Sequence, residues 1–139
     1  MVDIEPSGDG ASELVCKITD FGFACMMDPS KKITLSLGSP LYMAPEVIDR
    51  KSYNSKVDIW SLGVMAYMIL TGKSPFNGKT KVDIFNKVRY GRVPLAELEK
   101  YHNEGELVKD FIKKCLTRDV KQRWSAEELL QHPWFKTLI

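Results

Sequence analysis

The sequence predicts a mainly α-helical protein with a small two-stranded β-hairpin at its N-terminus. Two short runs rich in β-branched residues lie within the first 19 residues, and four helical patterns follow Asn54. Between these regions, Asp20–Tyr53 contains Gly and Pro residues but no sustained hydrophobic period, which predicts a long irregular segment. Irregular segments of this length are usually either functional or disordered.

The hairpin is predicted from Met1–Ile4 and Leu14–Thr19, whose composition is typical of strands. The polar, glycine-containing stretch Glu5–Glu13 between them predicts a connecting loop. Two strands alone are only marginally stable in water.

Four stretches carry the helical prediction. Lys56–Thr71 is apolar on nearly every face, which predicts a central helix buried all round, and Gly72 ends it. Amphipathic or capping-box patterns predict three shorter helices, at Thr80–Tyr90, Glu106–Leu116 and Ser125–Leu130.

Composition limits the classes of function. A chain of 139 residues predicts one domain, and 44% hydrophobic with 27% charged residues is typical of a globular protein. Lys and Arg number 20 against 18 Asp and Glu, and this net charge of +2 is too small to indicate nucleic acid or an anionic membrane as a partner. We therefore expect the function to depend on a local site.

Cysteine usage and hydropathy predict a soluble, cytoplasmic protein. The three cysteines have no C-x-x-C spacing, so neither a disulfide framework nor a zinc site is indicated. The N-terminus has no signal-peptide pattern, and the longest apolar segment is about 12 residues, against about 20 for a membrane span. We expect no membrane association.

Two tripeptides bracket most of the irregular segment. Asp20-Phe21-Gly22 follows the second predicted strand, and Ala44-Pro45-Glu46 precedes the apolar helix. A carboxylate at a strand end, beside a Gly that allows a sharp turn, suits Mg²⁺, which prefers one or two carboxylates plus phosphate oxygens and water. D-F-G and A-P-E in this order belong to the protein-kinase signature, in which the stretch between them is the activation loop. The chain thus resembles the protein kinases.

The resemblance continues almost to the last residue, through these blocks: Lys17-Ile-Thr-Asp-Phe-Gly-Phe-Ala24, Gly38-Ser-Pro-Leu-Tyr-Met-Ala-Pro-Glu46, Val57-Asp-Ile-Trp-Ser-Leu-Gly63, Leu70-Thr-Gly-Lys-Ser-Pro-Phe76 and Arg123-Trp-Ser-Ala-Glu-Glu-Leu-Leu-Gln-His-Pro-Trp134. They resemble the C-terminal lobe of a eukaryotic kinase, and Gly38-Ser39-Pro40 resembles the serine/threonine-specific members. The ending Gln-His-Pro-Trp-Phe is similar to the calcium/calmodulin-dependent and calcium-dependent kinases. The Gly38–Glu46 block is also similar to autophagy-initiating kinases.

The resemblance implies ATP and Mg²⁺ as cofactors and protein Ser/Thr hydroxyls as substrates. Asp20 matches the aspartate that holds the Mg²⁺ bridging the β- and γ-phosphates. Ser39 matches the hydroxyl residue of the substrate pocket, and Leu41 is expected to line the same pocket.

Three further positions match structural residues of the family. Glu46 and Arg123 match a buried glutamate–arginine pair. Asp58 matches an aspartate that accepts backbone N–H bonds from the catalytic loop, although an ordinary carboxylate at a helix N-terminus would also be favourable there.

Phosphorylation of the activation loop is expected at Thr34 or Ser36, by an upstream activating kinase. The usual family position falls on Leu35, which leaves the choice between the two hydroxyls open.

The printed sequence contains no G-x-G-x-x-G, V-A-I-K or H-R-D-L-x-x-x-N motif. In the family all three precede D-F-G. We therefore interpret residues 1–139 as a partial kinase domain, the C-lobe from the strand pair onward without N-lobe or catalytic loop. Our hypothesis is a truncated product or incomplete gene model that is inactive alone. The alternative is a non-catalytic docking or regulatory module with a kinase-like fold.

Overall fold

The computed structural model of the chain describes residues 2–6, 12–28, 33–100 and 105–136. Within these ranges the fold is mainly helical, with one antiparallel strand pair at the start. The α-helices are α1 (Pro45–Ile48), α2 (Lys56–Thr71), α3 (Lys81–Tyr90), α4 (Gly105–Cys115), α5 (Ala126–Leu130) and α6 (Pro133–Lys136). Two 3₁₀ helices lie at Phe21–Phe23 and Leu95–Lys100.

The helical pattern of the sequence locates the longer helices closely. The predicted and observed limits of α2 are the same, α3 begins one residue later than predicted, and α4 begins and ends one residue earlier than predicted. Thr80 and Ser125 precede α3 and α5, and each forms a capping box with the residue three positions later. These caps satisfy backbone N–H groups of the first helical turn. Helices α1 and α6 were not predicted, because four residues are too few to show a period.

The strand pair consists of β1 (Val2–Pro6) and β2 (Ser12–Cys16). Its register places Val2 opposite Cys16 and Pro6 opposite Ser12. The strand limits differ from the predicted ones: the second strand was expected to extend to Thr19, whereas residues 17–19 lie beyond β2. Among the described residues, the pairing with β1 extends no further than Val2 and Cys16.

Helix α2 is the centre of the hydrophobic core. Trp60 is fully buried and stacks on Phe76 with ring centroids 5.5 Å apart. Val64 and Tyr67 continue the buried face, and α4 packs against α2. The expectation that α2 is buried all round is wrong. One face of the helix is exposed, and Leu62, Met65 and Ile69 form it.

None of the helices in the described ranges combines the length and apolar character of a membrane span.

Arg118 holds the C-terminal end of α3, a contact that the sequence did not indicate. Its guanidinium donates to the carbonyl oxygens of Val88 at 2.7 Å and Lys87 at 3.3 Å, and also to that of Gly91. The last carbonyls of a helix have no partner within the helix, so this side chain caps them. Desolvation lowers the pKa of Arg118.

His132 is buried in an aromatic cluster at the C-terminal end. Its Nδ1 accepts a hydrogen bond from the Trp134 backbone N–H at 3.1 Å, and its Nε2 lies 3.2 Å from Asp110 Oδ2. Because Nδ1 is an acceptor, the geometry requires Nε2 to donate to Asp110. The Phe111 ring packs edge-on against the imidazole.

The pair Asp49–Arg89 connects the end of α1 to α3. Asp49 Oδ1 accepts from Arg89 Nε at 2.7 Å, and Lys51 Nζ lies 3.1 Å from Asp49 Oδ2. The hydrogen bond from Arg89, opposed by desolvation and supported by Lys51, holds the pKa of Asp49 below its usual value of 3.8.

This arrangement predicts a stability loss in acid. The pKa of Asp49 is lower in the folded state than in the unfolded state. The contribution of the Asp49–Arg89 pair to the free energy of unfolding is therefore complete above the usual pKa of 3.8 and disappears as pH falls through the folded-state pKa. For a partly exposed pair it amounts to less than about 1 kcal/mol. Urea unfolding at a series of pH values is expected to show a smaller acid loss for Asp49→Asn than for wild type. An identical acid slope in both proteins would contradict the assignment.

Candidate functional site

A cleft of about 540 Å³ lies between the segment after β2 and the N-terminal end of α2. Three separate parts of the chain line it, at 18–27, 37–47 and 53–61. The cleft brings together Asp20, Ser39 and Asp58, which the sequence singled out from three different motifs. Leu41, expected beside Ser39, is partly buried and is not a lining residue. Its neighbours Tyr42 and Met43 line the cleft instead.

Asp20 occupies a special backbone position in the cleft. Its φ is 63°, in the left-handed region that Asp adopts more readily than most residues. The carboxylate Oδ1 accepts a hydrogen bond from the Gly22 N–H at 3.3 Å, at the start of the 3₁₀ turn. A Cβ at Gly22 would lie 3.2 Å from that same oxygen. The glycine of D-F-G therefore leaves space beside the carboxylate, which any other residue would narrow.

Ser39 lines the cleft from a turn that is anchored to α2. Gly38 precedes it with a φ of 106°, a conformation that favours glycine. The Tyr42 N–H donates to the Ser39 carbonyl at 3.0 Å and closes the turn. Ser61 Oγ then donates to the Tyr42 carbonyl at 2.9 Å. A helix side chain thus positions the loop that carries Ser39.

Asp58 is an exposed residue in the first turn of α2. Its backbone N–H donates to the Ser55 carbonyl at 3.1 Å, while its side chain lines the cleft. A carboxylate is favourable near the positive end of a helix. Among the described residues no hydrogen bond to its carboxylate is present.

The Glu46–Arg123 pair does not line the cleft and is almost completely buried. Arg123 Nη1 and Nη2 donate to the two Glu46 carboxylate oxygens at 2.6 and 2.9 Å. The same guanidinium donates to the carbonyls of Thr117 at 2.8 Å and Lys56 at 2.9 Å, and lies 5.1 Å from the Trp60 ring centroid. One side chain thereby connects α1, α2 and the loop before α5.

Thr34 and Ser36 are exposed and lie in the loop between the two cleft walls. They do not line the cleft, whereas Leu37 directly after them does. Sequence reasoning missed further lining residues: Tyr42, Tyr53, Asn54, Ser55 and Ser61. Tyr53, Asn54 and Ser55 directly precede α2 in the chain, and this position is the signal that could have indicated these three residues.

The mainly helical fold and its motif-lined cleft define a domain of the protein kinase class. A family model described as the protein kinase domain matches residues 6–135. Calcium-dependent protein kinase 25 of Arabidopsis thaliana is 42% identical over 120 residues, which cover 86% of this chain and 23% of that protein. Myosin light chain kinase 2 (skeletal/cardiac muscle) of Mus musculus is 38% identical over 88% of this chain and 20% of its own length. Calcium-dependent protein kinase 10 of Oryza sativa subsp. japonica is 37% identical over 95% and 22%.

The chain belongs to the protein kinase family, near the group of calcium-dependent and myosin light chain kinases. It spans between a fifth and a third of the length of these curated relatives.

Proposed function

We propose that the chain is the C-terminal-lobe part of a serine/threonine protein kinase, with the strand pair β1–β2 at the start of that lobe. The observation that carries the proposal is the meeting of Asp20, Ser39 and Asp58 in one cleft, from motifs up to 38 positions apart. The reaction is transfer of the γ-phosphoryl group of ATP to a Ser or Thr hydroxyl of a protein substrate. The names of the related kinases support the same class of reaction.

The residues of the cleft fit a part of the Mg²⁺–ATP site. Asp20 offers one carboxylate beside open space, and Mg²⁺ in nucleotide sites is commonly held by one or two carboxylates together with phosphate oxygens. Mg²⁺ supplies neutralisation of charge on the β- and γ-phosphates when bound. Asp20 would hold the ion, and Ser39 would orient the substrate segment. Glu46 and Arg123 would keep the Ser39 loop and α2 in fixed positions.

We also propose that residues 1–139 form a partial kinase domain with negligible activity alone. The catalytic-loop Asp and Asn, the Gly-rich loop and the strand lysine have no match in the printed sequence. General acid–base assistance alone commonly contributes about 10²–10⁴ in rate. Phosphorylation at Thr34 or Ser36 by an upstream kinase belongs to the same proposal.

Metal binding tests the role of Asp20 without requiring turnover. Mn²⁺ with ATP, added to the ¹⁵N-labelled chain, is expected to broaden the amide signals of Gly22 and Ser39. Asp20→Asn is expected to weaken this binding about tenfold or more, since the residue supplies the metal carboxylate. Glu127→Gln, an exposed carboxylate change on α5, is the matched control and is expected to bind as wild type does. Equal broadening in Asp20→Asn and wild type would overturn the role of Asp20.

A second measurement addresses activity. Purified chain is expected to transfer no phosphate from Mg²⁺–ATP to a serine peptide above background, and robust transfer would contradict the proposed inactivity. A chain that is soluble, monomeric and bound to a protein partner would instead favour the docking-module alternative.

A further inference from the structure

Tyr53 makes two hydrogen bonds to one short stretch of the loop that carries Thr34 and Ser36. Its backbone N–H donates to the Ile33 carbonyl at 3.1 Å, which forms an isolated antiparallel bridge. Its side-chain hydroxyl donates to the Leu35 carbonyl at 3.0 Å. The two bonds hold the loop backbone on both sides of Thr34.

The position from which Tyr53 reaches the loop is itself well anchored. Asn54 follows it, and its side-chain oxygen accepts the Lys56 N–H at 3.0 Å, while its carbonyl accepts the Val57 N–H at 3.2 Å. Tyr53 is therefore held at the start of α2, the central helix of the core. Burial raises the pKa of the Tyr53 hydroxyl above its usual 10.0, and the nearby Cys25 and Asp58 add to this, so the hydroxyl keeps its proton at neutral pH and can donate the hydrogen bond to Leu35.

Residues 34–37 of the loop are exposed around the contacts with Tyr53. Leu35 is 62% exposed and Leu37 is 44% exposed, and Thr34 and Ser36 are also exposed. A segment with so little buried apolar surface opens locally at low cost, so individual hydrogen bonds decide its position. Leu37 leads directly into Gly38 and Ser39, and all three line the cleft together with Tyr53.

We infer that Tyr53 is a positioning residue, a latch that holds loop residues 33–37 against the start of α2 and thereby sets the Leu37–Ser39 wall of the cleft. Release of the Tyr53 hydroxyl from Leu35 frees the loop around Thr34 and Ser36 without unfolding the domain. The contact itself is independent of catalysis. The assignment of Thr34 and Ser36 as phosphorylation sites in this loop rests on the proposed function.

Tyr53→Phe separates the latch from packing, because it removes only the hydroxyl and keeps both the ring and the backbone bond to Ile33. Chymotrypsin cleavage after Leu35 and Leu37 reports local opening of the loop. Cleavage there is expected to accelerate about two- to tenfold, the factor that corresponds to one intramolecular hydrogen bond. The ¹³C signal of the Leu35 carbonyl is expected to move toward the position of an unbonded carbonyl. Tyr90→Phe, an 81% exposed tyrosine on α3, is the matched control and should change neither readout.

Two results would overturn the latch. The first is an unchanged Leu35 carbonyl signal and unchanged loop cleavage in Tyr53→Phe. The second is an equal acceleration at all cleavage sites along the chain, because this would mean that the hydroxyl contributes only to global stability. Both results can be obtained whether or not Asp20 binds a metal, so failure of the latch is distinguishable from failure of the proposed kinase function.

Discussion

Replacing Arg123 by methionine is expected to lower the free energy of unfolding by about 3–5 kcal/mol, the usual cost of removing one member of a buried ion pair. The Arg123 side chain is 0% exposed and Glu46 is 6% exposed. Methionine fills much of the volume but leaves the Glu46 carboxylate buried without its bidentate partner. The carbonyls of Thr117 and Lys56 lose a donor as well. Since a domain of this size is stable by about 5–15 kcal/mol, the variant will be marginally folded.

Urea unfolding followed by circular dichroism measures the loss, and Arg89→Met is the matched control. Arg89 forms a partly exposed pair with Asp49, so its removal is expected to cost less than about 1 kcal/mol. The double variant Glu46→Gln/Arg123→Met should recover part of the loss, because a neutral amide is cheaper to bury than a carboxylate. If Arg123→Met fails to fold, Arg123→Lys keeps the charge and should give a smaller, measurable loss. A cost for Arg123→Met no larger than that for Arg89→Met would refute this account.

Gly63→Ala is expected to destabilise the fold by about 1–3 kcal/mol, the usual cost of overpacking a core. In most helix interiors the same change would stabilise by about 1 kcal/mol through helix propensity. Here a Cβ at position 63 would lie 2.5 Å from Cys115 Cβ and 3.0 Å from Leu116 Cδ2. Helices α2 and α4 would have to separate. Burial raises the pKa of the Cys115 thiol to about 12, so the thiol is neutral and the conflict is steric.

A double-mutant cycle tests this contact directly. Cys115→Gly removes the atom nearest to the new Cβ, so Gly63→Ala should cost less in the Cys115→Gly background than in wild type. Gly105→Ala at the start of α4 is the matched control, because within the described part of the chain its Cβ would meet the Leu98 carbonyl alone, at 3.7 Å. That variant is expected to be neutral or more stable. Additive effects of Gly63→Ala and Cys115→Gly would show that the two residues are not in conflict.

Most of the fold could be predicted from local pattern. The limits of α2, and those of α3 and α4 within one residue, follow from hydrophobic spacing and from Gly or capping residues at their ends. The exposed stripe Leu62, Met65 and Ile69 could not be predicted in this way. A helix that is apolar all round shows no preferred buried side in its sequence, and its surroundings decide which face is covered.

In the candidate site, too, some residues could be predicted from the sequence and others could not. Asp20 and Ser39 could be selected because each lies within a motif whose residues are neighbours in the chain. Leu41 was assigned to the pocket by the same motif, yet the turn at Ser39 directs Tyr42 and Met43 to the cleft instead. Tyr53 had no motif to indicate it, since its two bonds reach residues 18 and 20 positions earlier in the chain.

The sequence by itself determined helices α2 to α5, the caps of α3 and α5, the protein kinase family and the identity of the motif residues, because these depend on residues close together in the chain. Only the tertiary structure decided that Asp20, Ser39 and Asp58 face one cleft and that Arg118 caps α3. It also decided the close approach of Gly63 to Cys115. Such contacts join residues separated by many positions, as Glu46 and Arg123 are by 77. Their geometry follows from how the helices pack around α2.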